Sequence, residues 1–318
     1  MKLKKRSILI IAVMVIMTVV GCSSQSTHTS LVPSNETVAV STTELTSVES
    51  MADKQNTSKR FKKITISSVA LQKEMRVNVY LPKEYSQNKK YPVLYLIHGY
   101  TGNEDSWFPD LQVERKADKL IENKEIEPLI IVSPQIDNSY GINSEVFSIE
   151  NGIAPSHFDK GMYEDYLYKE LIPYIDANYS TIASKEGRYI GGLSMGGWVA
   201  LHMAFTYTDM FSKVGGHSPA IFIDQYPGSA MAFLYPTEKL RNERDPIRVA
   251  ESKDLTSLKV FLDCGDNDSY QFYEGCEQLN EILKSKGVDS QYHLSAGEHD
   301  GAYWEANVEK YLKFYAGK

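Results

Sequence analysis

The stretch Tyr189-Ile190-Gly191-Gly192-Leu193-Ser194-Met195-Gly196-Gly197-Trp198 leaves this chain few ways to fold. Residues 188–190 read as a short apolar strand, and 198–204 read as the start of a helix. Between them lies Gly192-x-Ser194-x-Gly196, the pattern of a nucleophile elbow, a sharp strand-to-helix turn with a serine at its apex. A turn that tight brings the backbone two residues before and two after the serine into near contact. A Cβ would clash at either place, which is the steric reason for both glycines. The strain at Ser194 lifts its Oγ clear of the sheet, where a histidine and a substrate can both reach it. Gly and Ser are abundant enough for the bare pattern to arise by chance, so the flanking strand and helix carry the weight.

An elbow needs a sheet to stand on, and the rest of the sequence supplies one. Residues 63–69 and 75–82 alternate in the manner of strands and predict an antiparallel opening pair. Residues 92–99 and 128–133 are continuous apolar runs, as strands buried on both faces should be. Helical spacing marks 111–122 and 163–174 between these strands and the elbow. Beyond the elbow helix come strands at 211–218, 258–263 and 291–294, with helices at 269–286, capped by Gly287, and at 303–315. Strands alternating with helices predict an α/β fold: a mostly parallel central sheet with helices on both faces. Residues 219–250, with Pro219, Pro227, Pro236 and Pro246, read as an irregular insertion over the site. No repeat or composition shift divides 60–318, so one domain is expected there.

The first sixty residues belong to a different regime. Lys2, Lys4, Lys5 and Arg6 precede an apolar run from Ile8 to Val20, the plan of a secretory leader over 1–22. The run is shorter than the roughly 20 residues a spanning helix needs. Val19-Val20-Gly21-Cys22 resembles the lipobox of bacterial lipoproteins, which predicts lipid attachment at Cys22 and an extracellular, membrane-anchored protein. Residues 23–59 are rich in Ser and Thr with few large apolar groups, the composition of a disordered tether. Without the leader, 30 basic residues face 41 acidic ones, a net charge of −11. That balance argues against a nucleic-acid partner.

A serine hydroxyl attacks only when a base removes its proton, and the base needs an orienting carboxylate. Of the seven histidines, His28 lies in the tether, His157 precedes the serine and His202 sits inside the elbow helix. His98 and His217 follow strands that come before the acid, and His293 lies in the last strand. His299, in the loop between the last strand and the last helix, is the expected base, with His217 in reserve. The loop after 258–263 offers Asp263, Asp266 and Asp268; Asp268 is the expected acid, and Asp266 also reads as a turn or capping residue. Two backbone N–H donors should hold the oxyanion, one at Met195 and one from the glycine-bearing loop 98–102, at Tyr100. Cys264 and Cys276 are expected to be free, buried thiols, although a secreted location would permit a disulfide. Trp107, Trp198, Trp304 and some of the tyrosines are candidates for a stacking cleft. No metal or cofactor motif is evident.

Four motifs in order, His98-Gly99-Tyr100-Thr101-Gly102, Gly192-Leu193-Ser194-Met195-Gly196, Gly265-Asp266-Asn267-Asp268 and Gly297-Glu298-His299-Asp300, resemble the esterase D-like family of α/β hydrolases. The resemblance runs from about residue 62 onward. It implies an α/β-hydrolase fold, Ser194 as nucleophile, Asp268 as acid, His299 as base, and oxyanion donors at Tyr100 and Met195. It also implies a carboxylic ester substrate, such as feruloyl or acetyl groups on polysaccharide or a short-chain ester. Many members carry a tryptophan directly after the His-Asp pair; here Gly301-Ala302-Tyr303-Trp304 follows. Acyl transfer and siderophore-lactone hydrolysis use the same residues and stay open at this point. A non-catalytic surface-binding module on the same scaffold is the reading of another class.

Overall fold

The computed structural model describes residues 60–144, 157–223 and 228–318. The leader over 1–22 with Cys22, and the tether over 23–59, lie outside the described residues, as do 224–227 of the insertion.

Eight strands form one sheet in the order β1-β2-β4-β3-β5-β6-β7-β8. β1 (Phe61–Ser68) and β2 (Lys73–Tyr80) form the expected antiparallel hairpin, and β2 pairs antiparallel with β4 (Ile130–Pro134). From β4 onward every pairing is parallel, through β3 (Val93–Ile97), β5 (Arg188–Leu193), β6 (Lys213–His217), β7 (Lys259–Gly265) and β8 (Asp289–Ser295). The apolar runs are explained by two cores. Val93, Tyr95 and Ile97 of β3 face one core, while Leu94 and Leu96 face the other. A strand buried on both sides has no polar face to alternate with.

The smaller core lies under α1 (Val113–Glu122) and the last helix. The larger core takes α2, a helical run made of Tyr163–Asp165, a wider-turned Tyr166–Leu171 and Ile172–Asn178. It also takes α3 (Met195–Thr206), which is buried from Met195 to Phe205 and apolar all round, as a central helix must be. The insertion differs from its expected irregularity. It contains three short helices, α4 (Gly228–Leu234), α5 (Glu238–Arg244) and α6 (Pro246–Ser252). Two of its residues explain this. Thr237 and Asp245 accept backbone N–H groups of the first turns of α5 and α6, and Pro246 sits at a helix start where its missing N–H costs nothing. Proline here starts a helix rather than breaking one.

The chain closes with α7 (Phe272–Ser285), β8 and α8 (Gly301–Ala316). Gly287, at φ +76°, ends α7 as expected. Tyr315, near the end of α8, is wholly buried over the middle of the sheet. A Cβ on Gly191 or Gly215 would stand 1.9 or 2.0 Å from its hydroxyl, so these neighbouring strand glycines make a notch that the tyrosine fills.

Candidate active site

The parallel strands present their C-terminal ends along one edge, where α/β sheets collect their functional loops. β5 runs through Gly191 and Gly192 straight into Ser194, and α3 begins at the next residue, three earlier than the sequence pattern predicts. Ser194 has φ 54° and ψ −119°, strained for a residue with a side chain. The elbow glycines behave as the sterics require. A Cβ on Gly192 would lie 2.3 Å from the Gly196 backbone, and one on Gly196 would lie 2.2 Å from the Ile97 carbonyl oxygen.

The structure brings Ser194, His299 and Asp268 together from three separate loops. His299 Nε2 lies 2.9 Å from Ser194 Oγ, and its Nδ1 lies 2.7 Å from Asp268 Oδ2. Asp268 also accepts the Tyr270 N–H at 2.8 Å and the Cys264 thiol at 3.2 Å. Burial pushes the Asp268 carboxyl up, but the hydrogen bond and charge of His299, aided by the thiol and the Tyr270 N–H, outweigh it and hold the group below its ordinary value. It is therefore an ionised acceptor at neutral pH. With the Nδ1–H donating to Asp268, Nε2 presents its lone pair to the serine hydroxyl. Cys264 and Cys276 are both free and buried. Both match the expectation of free, buried thiols, but the thiol donor to Asp268 is a contact that the sequence alone does not reveal.

The two alternative acids sort differently. Asp266 is a turn residue: its Oδ1 accepts the Gly297 N–H at 3.2 Å, tying the Asp268 loop to the His299 loop. Asp263 belongs to a second histidine–aspartate pair. His217, the reserve base, places Nδ1 2.8 Å from Asp263 Oδ1, and both residues are buried. Asp263 Oδ2 accepts the hydroxyls of Tyr303 at 2.9 Å and Tyr311 at 2.8 Å. Tyr315 Oη lies 3.3 Å from His217 Nε2, and the Tyr311 ring stacks on the imidazole. His217 reaches the serine only through its backbone, whose carbonyl accepts the Ser194 N–H at 2.9 Å.

Ser194 and His299 open into a cavity of about 770 Å³ that is largely apolar. Tyr100, Tyr140 and Phe158 line one side; Phe222, Tyr270, Phe272 and Trp304 line the rest. The rings of Tyr270, Phe272 and Trp304 all meet the His299 imidazole in T-shaped contacts, at centroid distances of 4.9, 5.3 and 4.9 Å. Of the three tryptophans expected here, only Trp304 reaches the cavity. Trp107 and Trp198 are wholly buried, with their indole N–H groups on the Ile97 carbonyl and the Tyr235 hydroxyl. The insertion does reach the cavity, through Ala220, Phe222, Ser229 and Ala230, while its later helices pack away from it. Of the expected oxyanion donors, Tyr100 lines the cavity with Ser194, and Met195 directly follows Ser194 at the start of α3. Neither backbone N–H donates a hydrogen bond among the described residues. Among the described residues no cluster of His, Cys, Asp and Glu is arranged to hold a metal ion.

The sequence profile of the family described as "Putative esterase" matches residues 68–315. The chain belongs to that esterase family. It is thus a member of a family of carboxylic ester hydrolases of the serine type, on the α/β-hydrolase fold. A curated relative, the endo-1,4-beta-xylanase/feruloyl esterase of Xylanibacter ruminicola, is 30% identical over 78% of this chain. The match spans only 30% of that larger protein. A solved ferulic acid esterase superposes with a TM-score of 0.67 at 28% identity, over 80% of this chain and 96% of its own. An S-formylglutathione hydrolase of Staphylococcus aureus shares the fold, with a TM-score of 0.61 at 21% identity, over 80% and 98% of the two chains.

Proposed function

We propose that this esterase is a secreted, lipid-anchored serine carboxylesterase working through Ser194, His299 and Asp268. The observation that carries the reading is the unbroken chain from Ser194 Oγ through His299 to Asp268, opening into the aromatic cavity. His299 Nε2 takes the Ser194 proton as Oγ bonds to the ester carbonyl carbon. The carbonyl oxygen becomes an oxyanion, held by the Tyr100 and Met195 N–H groups at a gain of a few kcal/mol. As the carbonyl re-forms, the C–O bond to the alcohol breaks and His299 returns the proton to the departing oxygen. Water then repeats the sequence on the acyl-enzyme and frees the acid.

The acyl group we assign is a phenolic acid of the ferulate type, with the alcohol on a polysaccharide. Aromatic walls suit a flat aromatic acyl group, and the names of two relatives point the same way. Acetyl and other short esters are the second choice. Hydrolysis of methyl ferulate, p-nitrophenyl acetate and p-nitrophenyl butyrate by the full chain, beside Ser194→Ala, tests this. A silent mutant with methyl ferulate preferred is the expected result; equal activity in the mutant, or silence of both proteins, refutes it. Anchoring rests on the leader and Cys22 alone. Loss of membrane association in Cys22→Ala is the expected outcome, and unchanged partitioning counts against the anchor.

A further inference from the structure

His98 ends up in neither histidine–aspartate pair, yet it is wholly buried beside the site and both of its ring nitrogens are engaged by backbone. Nε2 lies 3.0 Å from the Ile136 N and Nδ1 lies 2.8 Å from the Gly99 carbonyl oxygen. An amide N–H can only donate, so Nε2 holds the lone pair and Nδ1 holds the hydrogen, which it donates to Gly99. Burial depresses the imidazole's pKa to about 4, so the ring is neutral and this tautomer persists at neutral pH. The Gly99 carbonyl accepts a second hydrogen bond from the Gly102 N–H, at 3.0 Å.

In a trans peptide the C=O and N–H point in opposite directions. Two donors drawing the Gly99 oxygen toward the buried imidazole therefore turn the Tyr100 N–H the other way. Gly99, Tyr100 and Ser194 all line the cavity, so the side turned away from the buried imidazole faces it. The other groups of the loop have partners elsewhere. The Tyr100 hydroxyl donates to the His157 carbonyl at 2.9 Å, and the Thr101 N–H donates to Asn138 Oδ1 at 2.7 Å.

We propose that His98 is a positioning residue for ester hydrolysis, whose imidazole locks the Gly99–Tyr100 peptide so that the Tyr100 N–H faces the oxyanion. This rests on the triad reading above. Flipping the peptide would break both bonds to the Gly99 oxygen and put a carbonyl where the oxyanion must form, so the lock matters most at the transition state.

The test uses the full chain with His98→Phe, His98→Asn and His98→Gln, Ser194→Ala as control, and a melting curve to establish that each is folded. His98→Phe is expected to lower kcat on p-nitrophenyl acetate about 100-fold, the loss typical of one oxyanion donor, with KM changing less than about threefold. The Ki of phenylboronic acid, which bonds to the serine oxygen and becomes tetrahedral, should rise by the same factor as kcat falls. His98→Asn, which places an amide N–H near the Nδ1 position, should recover about tenfold; His98→Gln, which does not, should resemble His98→Phe. A folded His98→Phe with wild-type kcat overturns the assignment, as does a fall in kcat with unchanged boronate affinity. If His98→Phe does not fold, equal activity of the Asn and Gln variants overturns it. Activity in Ser194→Ala would instead bring down the triad reading, and this assignment with it.

Discussion

Among the described residues, two histidine–aspartate pairs stand on neighbouring strands of the sheet and the loops that follow them, and they differ in what surrounds them. His299–Asp268 has a serine at the free nitrogen and a cavity in front of it. His217–Asp263 has nearly the same N···O distance but is sealed, with Tyr315 at the free nitrogen and two tyrosine hydroxyls on the carboxylate. An imidazole hydrogen-bonded to a carboxylate does not by itself make a catalytic base. What the third partner is, and whether solvent and substrate reach it, decides. The first pair is the one our proposal sets to work on substrate, and the second ties β6 and β7 to α8, the helix that follows the His299 loop.

Substitutions should separate the two sharply. Ser194→Ala or His299→Ala should reduce kcat/KM on an activated ester by on the order of 10⁵-fold while leaving the melting temperature nearly unchanged. A loss of comparable size in His217→Asn, measured per folded molecule, would erase the distinction. Asp263→Asn should do the reverse. Removing one partner of a buried, hydrogen-bonded pair typically costs about 3–5 kcal/mol, to be read by urea unfolding, with activity of the remaining folded protein reduced less than tenfold. A variant as stable as wild type would show that the sealed pair is dispensable.

His98 extends the comparison to a buried histidine with no carboxylate at all. Its folded pKa, about 4, lies below the ordinary 6.5, so between these values the unfolded chain takes up a proton that the folded one refuses. Stability should be undiminished above pH 6.5 and fall as the pH drops toward 4, by about 3 kcal/mol at this one site. His98→Gln should flatten that slope in pH-dependent urea unfolding, and an unaltered slope would contradict it. The smallest effect belongs to Cys264, which adjoins Asp263 in sequence and donates to Asp268. Cys264→Ala should lower kcat/KM about threefold, and Cys264→Ser, which restores a donor, should lie closer to wild type. Equal losses in the two would reduce the thiol to packing.

Much of this was legible from the sequence, for reasons that can be named. The elbow declares itself because its sterics demand glycine at fixed positions, and the buried strands because two covered faces demand unbroken apolar runs. His299 stands out among the seven histidines by its place in the loop between the last strand and the last helix, after both the serine and the acid. The fate of the losing candidates was not legible. Nothing local to His217 or Asp263 says that they meet, since their pairing depends on β6 lying beside β7 and on tyrosines 40 and 48 residues after Asp263. Trp107 and Trp198 misled for the same reason: an indole is equally at home in a cleft and in a core, and only the packed fold decides. The helices of 219–250 hid behind its prolines, of which Pro246 serves as a helix start.

The notch in the sheet has a consequence for how the protein is made. Gly191 and Gly215 lie bare until Tyr315 arrives, and 124 residues separate Gly191 from that tyrosine. At translation rates of about 5–20 residues per second, the elbow strand waits roughly 6–25 seconds for its cover. During that interval the notch on one of its two faces has nothing to fill it. For a polypeptide threaded through a membrane before it folds, as the proposed export requires, that delay is an asset: the hydrolase cannot finish itself too early.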